Sequence, residues 1–342
     1  MATAMDGTVS MHEVNHKSGA LTFLGAIKTQ SGTSSILVST SGQFAYVTNE
    51  RSNTILPYKI STKTGILTPT SAGPASTGFG PFSLVHPSGR FVHALSRGSG
   101  SLSVFETSPA VGIQMEVSGS PFSSKAMSGI YMAAFDPTGR FAYASLADDR
   151  VAAFTVDETS GAWTFVEGYT HRAADRPGMV AVHPSGHYAY IATNTGVLVF
   201  AIERASGAWN PLDDLSLKTI GAAFHLVIEP TGKFILVGTG DGTVHVYQID
   251  FVSGELKPLT ATATGILPIS SMAIDSSGRF VYVTHFASYQ ILGFQLSPSG
   301  TLTPISGSPF STSPDAPSFT KVTSIDFSEK HKTAITLTPY YH

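Results

Sequence analysis

Three side chains in this sequence have the types needed for acid/base work on a small molecule. They are Glu50 in VTNERSNTI, Asp149 in LADDRV and His225 in AAFHLVIEPTG. A carboxylate can take a proton from water as it attacks, while an imidazole or a cation steadies the negative charge that develops. Residues suited to holding the molecule are Asn49, Arg97, Tyr131, Arg176, Asn194, Asp241, His285 and Lys321, with Phe224, Met132 and Met179 beside them. Each catalytic assignment has a plainer rival. Glu50 next to Arg51 reads equally as a solvated loop pair. Asp148-Asp149-Arg150 reads as a hairpin turn, and His225, on an apolar strand, as a core or channel residue.

Other chemistries fall away. There is no Cys, so thiolate nucleophiles, thiolate metal sites and disulfides are all excluded. The glycine-rich GTGDGT (238–243) is followed by the alternating VHVYQI, a strand, so no helix N-terminus is available to a phosphate. His183 and His187 flank a Pro-Ser-Gly turn and form no helical zinc pair. Glu50, Asn194 and Asp241 have the oxygens that calcium takes, but no calcium motif accompanies them, and no metal or cofactor is expected. Net charge is −3 without a basic run, which excludes a nucleic-acid groove. No apolar run is long enough to span a bilayer, so no membrane partner is expected. The start, MATAMDGTVSMHEV, has no basic region followed by an apolar one. The expectation is a cytoplasmic monomer, or a periplasmic or secreted one if an upstream signal has been removed.

The elements that must position these residues come from a repeat. HPSGRFVHAL (86–95), DPTGRFAYAS (136–145), HPSGHYAYIA (183–192) and EPTGKFILVG (229–238) share one turn, with looser copies at 39–48 and 275–284 and a degenerate one, DFSEKHKTAI, at 326–335. A second mark recurs at Gly19, Gly65, Gly112, Gly161, Gly207, Gly254 and Gly300, at spacings of 46 to 49 residues. Seven marks at one period mean seven units. Each unit reads as a buried apolar strand (MVAVH), a Pro-x-Gly turn, an alternating strand (YAYIA), a second alternating strand (GVLVFAI) and, after SGAW, a more exposed one. His86 and His183 share a repeat position with Asp136, Glu229 and Asp275, which points to turn bracing. Trp163 and Trp209 fall at equivalent fourth-strand positions, which points to packing.

Low charge (13%) with 33 Gly and 20 Pro suits many short strands and tight turns. The expected fold is all-β: a seven-bladed β-propeller with four antiparallel strands per blade, one domain over 1–342. Residues 1–28 contribute two strands to a blade whose other two lie in 320–342, and this shared seventh blade closes the ring.

Units of this form, an apolar strand ending in [H/D]-P-[S/T]-G-[R/K]-[F/Y]-x-Y and continuing to [S/T]-G-x-L, resemble the seven-bladed propeller lactonase family over essentially the whole chain. That family includes bacterial 6-phosphogluconolactonase and fungal carboxymuconate cyclase. The inserts SGSPFSS (118–124) and SGSPFST (306–312) are similar to those of a bacterial branch. Enzymatic members carry Pro-Arg-His at the start of a first strand and Asn-Glu after the second strand of the same blade. Aligned on the turn, His225 matches that His, Phe224 stands at the Arg position and Thr239 at the Glu position. Asn49-Glu50 matches the Asn-Glu loop in a blade with Ser35 at the His position, and Lys321 and Tyr131 take the Arg position in two others.

The resemblance implies hydrolysis of a small lactone or sugar-acid ester at the channel mouth, with water activated by Glu50 or Asp149 and charge held by His225, Arg97 or Arg176. A non-catalytic propeller binding a ligand or protein, and a muconate-type cyclase or isomerase, stay open as alternatives. With few cations on that face, a neutral or singly charged lactone fits better than a phosphorylated one.

Overall fold

The computed structural model describes residues 7–312 except 31, 126, 174–175, 219–221, 267, 286–287 and 289, together with the strands 324–328 and 333–337. Among these residues the strands form seven antiparallel sheets, and the only helical element is a short 3₁₀ turn, Asp213–Leu215. The fold is an all-β β-propeller. No helix among the described residues is long and apolar enough to cross a membrane.

Six sheets follow chain order outward from a first strand: Thr33–Val38, Pro81–Val85, Ile130–Phe135, Val180–Val182, Ala223–Ile228 and Ile269–Ile274. The seventh joins distant parts of the chain. Its order is Leu21–Lys28, Thr8–Val14, Thr333–Leu337 and Ser324–Ser328, and Met11 pairs with Ile335. Phe327 pairs with Ala334 as Val38 pairs with Ala45, so this hairpin turns two residues later than the degenerate copy DFSEKHKTAI implies.

Burial reverses one expectation. The second strands of six sheets, read as alternating, are buried at every position, as in Phe44–Asn49, Tyr188–Thr193 and Phe280–His285. Most of the first strands, read as buried, are only partly so: Ala223–Ile228 has two buried residues of six, although Ile269–Ile274 has five of six. A second strand lies between hydrogen-bonded neighbours with a packed sheet on each face, whereas a first strand borders the central channel. Sequence periodicity reports the strand but not which neighbours cover it.

Each core cluster lies between two sheets. Tyr143, Ile191 and Trp209 belong to one, and Leu236, Met272 and Val283 to another. Trp209 is fully buried, stacks on Phe200 at 4.5 Å and donates to the Tyr169 carbonyl at 2.9 Å. Val9 and Met11 of the N-terminal strand pack with Ile36 and Val47 on one side, while Val14 and Leu21 pack with Phe280 and Tyr282 on the other.

The repeated turns brace one sheet against the next. His86 Nδ1 bonds the Ser88 hydroxyl, and its Nε2 reaches the Gly139 carbonyl of the following turn at 2.9 Å. His183 does the same with Ser185 and Gly232. Where the position is acidic it folds onto its own turn: Asp136 accepts from the amides of Thr138 and Phe141. Tyrosines of the second strands add a latch. Tyr143, Tyr190 and Tyr282 donate to the carbonyls of Gly207, Gly254 and Gly19, the last crossing to the N-terminal sheet. The fourth-to-first connection adds what sequence patterning did not reveal, a two-residue strand returning alongside the third, as at Phe122–Ser123 and Phe310–Ser311.

Candidate active site at the channel mouth

Strand pairing fixes which loops share a face. Thr33 pairs with Asn49, Ile130 with Leu146, Ala223 with Thr239 and Ile269 with His285. The first strands therefore begin where the second strands end, and one rim, the mouth, carries both sets of candidate residues. Four of the first strands carry a β-bulge at one repeat position, leaving Ser34, Tyr131, Phe224 and Ser270 as the extra residues. A bulge locally breaks the ladder and re-aims the side chain it adds. Pro81–Val85 pairs without interruption.

The residue just after each second strand is held alike. The amides of Glu50, Arg97, Ala147 and Gly240 donate to the carbonyls of Gly32, Gly80, Gly129 and Ala222, respectively, at 2.7 to 3.2 Å. Glu50 and Arg97 are thus equivalent residues of consecutive sheets, and both lie near one glycine. A Cβ built on Gly80 would lie 3.9 Å from Glu50 Oε1 and 4.0 Å from Arg97 Cβ. Gly80 has φ +66°, and its amide donates to Asn53 Oδ1 at 3.1 Å. The Arg97 guanidinium crosses to the next sheet. It sits 4.6 Å from the centroid of the bulged Tyr131 ring, and its Nε donates to the Tyr131 carbonyl at 3.1 Å. A cation on an aromatic face, also hydrogen-bonded, is held in place at little entropic cost. The half-buried Glu50 carboxylate accepts no hydrogen bond from any described residue.

His225 lies on the other side, on a strand whose sheet shares no core cluster with that of Glu50. Burial lowers its pKa to about 4, so it is a neutral imidazole near neutral pH. Its Nε2 is 3.4 Å from the Ser271 hydroxyl, and its buried Nδ1 has no hydrogen-bond partner among the described residues. Beside it the bulged Phe224 is 45% exposed and its ring lies against Gly240; a Cβ there would be 2.7 Å from the ring.

The remaining candidates are mostly engaged locally. Asn49 is fully buried, its Oδ1 accepting from Thr33 at 2.8 Å. Asp149 has φ +62° and its Oδ1 accepts the amide of Arg176, which has φ +43°. The neighbouring Asp148 pairs with Arg150 at 2.6 Å, and that bond pulls its pKa down. Asp241 braces its own hairpin: the Thr239 hydroxyl donates to it at 2.6 Å and lowers its pKa, and the Thr243 amide adds to this. His285 is buried, which lowers its pKa to about 4. Thr264 gives its proton to the Gly242 carbonyl at 2.7 Å, so His285 Nε2 donates to the Thr264 hydroxyl at 2.8 Å. Asn194 is exposed in a hairpin turn, and Lys321 lies outside the described residues. Among the described residues no three His, Asp or Glu side chains gather as metal ligands would.

Sequence reading passed over Gly80, Ser271 and Phe79. The first two come to notice only through the pairing of neighbouring sheets. The signal for Phe79 was present as Gly-Phe-Gly (78–80), an aromatic between two residues free to take unusual backbone angles.

No protein of curated function matches the sequence. Among solved structures the chain is similar to a Bacteroides fragilis protein described as a candidate 6-phosphogluconolactonase, at 16% identity and a TM-score of 0.73, covering 90% of this chain and 96% of that one. It is similar too to the periplasmic gluconolactonase of Pseudomonas aeruginosa (17%, TM-score 0.71, covering 89% and 98%) and to a Lactobacillus plantarum protein (17%, TM-score 0.69, covering 87% and 94%). At these identities the likeness is one of fold. The sequence itself matches the family described as lactonase, 7-bladed β-propeller, over residues 1–120 and 113–316, and the chain belongs to that family.

Proposed function

We propose that this propeller hydrolyses a small lactone at its channel mouth, with Glu50 as general base. The observation that carries the reading is that Glu50 Oε1 and the Cβ of Arg97 both lie near Gly80, with the Arg97 guanidinium held on Tyr131 of the next sheet and the Glu50 carboxylate uncommitted among the described residues. A water held by Glu50 loses its proton to the carboxylate as its oxygen adds to the lactone carbonyl carbon. Arg97, fixed on Tyr131, faces the oxyanion that forms. As the carbonyl re-forms, the ring C–O bond breaks, and the departing alkoxide takes the proton back from Glu50. The product is the open-chain hydroxy acid, and nothing is oxidised or reduced. His225, neutral through burial, serves as a hydrogen-bonding wall rather than a cation.

Asp149 is a weaker choice of base because one of its oxygens already holds the Arg176 amide. The same reading takes the chain as one propeller domain whose seventh blade is shared between its two ends. Support comes from the pairing of Thr8–Val14 with Thr333–Leu337 and from the packing of the N-terminal strands on both flanking sheets.

The test is titration at constant pH of acid released from gluconolactone, its 6-phosphate and plain γ- and δ-lactones. Turnover above buffer on at least one lactone is expected. Rates equal to buffer on all of them, including substituted lactones, would refute the reading.

A further inference from the structure

The polar groups of the mouth and its apolar groups are used in opposite ways. A polyhydroxylated substrate needs several converging donors and acceptors, since each hydroxyl left without a partner costs binding. Most candidates for that task are occupied within the protein. Asn49 is buried and bonded to Thr33, Asp241 is tied to Thr239 and Thr243, and Asp149 holds the Arg176 amide.

Phenylalanines, by contrast, are displayed. Phe79 is 68% exposed, and its ring lies against a glycine: a Cβ on Gly98 would come within 2.2 Å of it. The segment is held firmly. The Gly98 amide donates to the Phe79 carbonyl at 3.0 Å, the Arg97 amide to the Gly80 carbonyl at 3.2 Å, and the Thr77 amide to the Asn53 carbonyl at 2.8 Å. Phe79 therefore stands next in the chain to the glycine near which Glu50 and Arg97 both lie. Phe224, also resting on a glycine, is displayed on the far side of the same mouth. A scattered exposed apolar residue needs no explanation, but two phenylalanines on one rim, each seated on a glycine, mark a surface built to receive apolar matter.

Resting on the hydrolase reading above, we infer that the substrate is a lactone bearing an apolar substituent outside its ring, aryl or alkyl, which packs on Phe79 while the lactone carbonyl faces Glu50 and Arg97. Phe79 then sets specificity without touching the bond that breaks. This departs from the sugar lactones in the names of the similar structures.

Two measurements separate this inference from the reading on which it rests. The first compares kcat/KM for a phenyl-substituted δ-lactone, the unsubstituted δ-lactone and gluconolactone. The phenyl compound is expected to exceed gluconolactone at least tenfold, and Phe79→Ala to shrink the ratio of phenyl-substituted to unsubstituted about tenfold, chiefly through KM. Phe79 is exposed, so the variant should fold; Phe79→Leu should recover part of the ratio. The second is calorimetric binding of hydrolysis-resistant lactams, which does not depend on turnover. The phenyl-substituted δ-lactam should bind at least tenfold more tightly than gluconolactam, and Phe79→Ala should remove that margin. Gluconolactone favoured in turnover, or gluconolactam binding as tightly as the phenyl lactam, overturns the inference while leaving the hydrolase reading in place. Neither lactam binding also overturns it. Tight phenyl-lactam binding with no lactone turned over overturns the hydrolase reading instead.

Discussion

Glu229 and Glu50 are both glutamates in repeat positions, and their surroundings differ in every respect that matters for reactivity. Glu229, at the Pro-x-Gly turn, is buried; its carboxylate takes the amides of Thr231, Lys233 and Phe234 and the Thr231 hydroxyl. Glu50, at the opposite end of its sheet, is half-buried beside Arg97, and no described residue donates to its side chain. A saturated carboxylate stabilises a turn and has nothing left for a substrate. One with free lone pairs next to a fixed cation can take a proton. The repeat applies the first arrangement at Asp136, Glu229 and Asp275, and fills the same position with the bracing imidazoles of His86 and His183. The second arises where the repeat is broken: the position of Glu50 is Arg97, Ala147 and Gly240 in other sheets.

The sharpest break in the turn-bracing half is predicted for Gly232→Ala. Gly232 has φ +81°, and a Cβ there would lie 2.4 Å from the buried His183 ring. Strain and clash together should cost about 3 kcal/mol or more, read as a lower urea midpoint. An unchanged midpoint would remove the turn from the account of stability.

Acid should act on the same framework. His12, His93 and His285 are buried, and burial lowers their pKa values to about 3, 3 and 4. The unfolded chain binds protons on these groups near pH 6.5 while the folded chain does not, so stability is full above pH 6.5 and falls toward pH 4. The loss is up to ~1.4 kcal/mol per histidine for each pKa unit. A urea midpoint flat from pH 7 to 4.5 would contradict this.

On the mouth side, Arg97→Lys keeps the charge but loses the planar fit to Tyr131 and the Nε bond. A fall of about tenfold in kcat/KM is expected, with little change in melting. Equal rates would mean that only the charge matters. The smallest effect is expected from Asp148→Asn. Its pair with Arg150 is exposed, and the urea midpoint should correspond to a change within about 1 kcal/mol.

Much of the framework was legible because a repeat states its own period. Seven glycines at near-constant spacing and a recurring Pro-x-Gly turn give the sheets, and the shared position of His86 and His183 gives their bracing role. The candidate site was proposed from residue types, and the sequence carried no sign of how those residues group. That Glu50 and Arg97 both lie near Gly80 depends on equivalent loops of consecutive sheets, an arrangement with no trace in local patterning. The bulges that turn out Tyr131 and Phe224 depend on pairing register, which alternation alone does not set. Nor does an acidic side chain in a loop announce whether nearby amides have already claimed it, as with Asp241.

The central claim is tested most directly by measuring turnover and melting temperature together for Glu50→Gln and Glu229→Gln. Glu50→Gln should lose about 10²- to 10⁴-fold in kcat with its melting temperature held, while Glu229→Gln should melt earlier yet keep its kcat per folded molecule. Loss of turnover in Glu229→Gln with Glu50→Gln unimpaired would contradict the account.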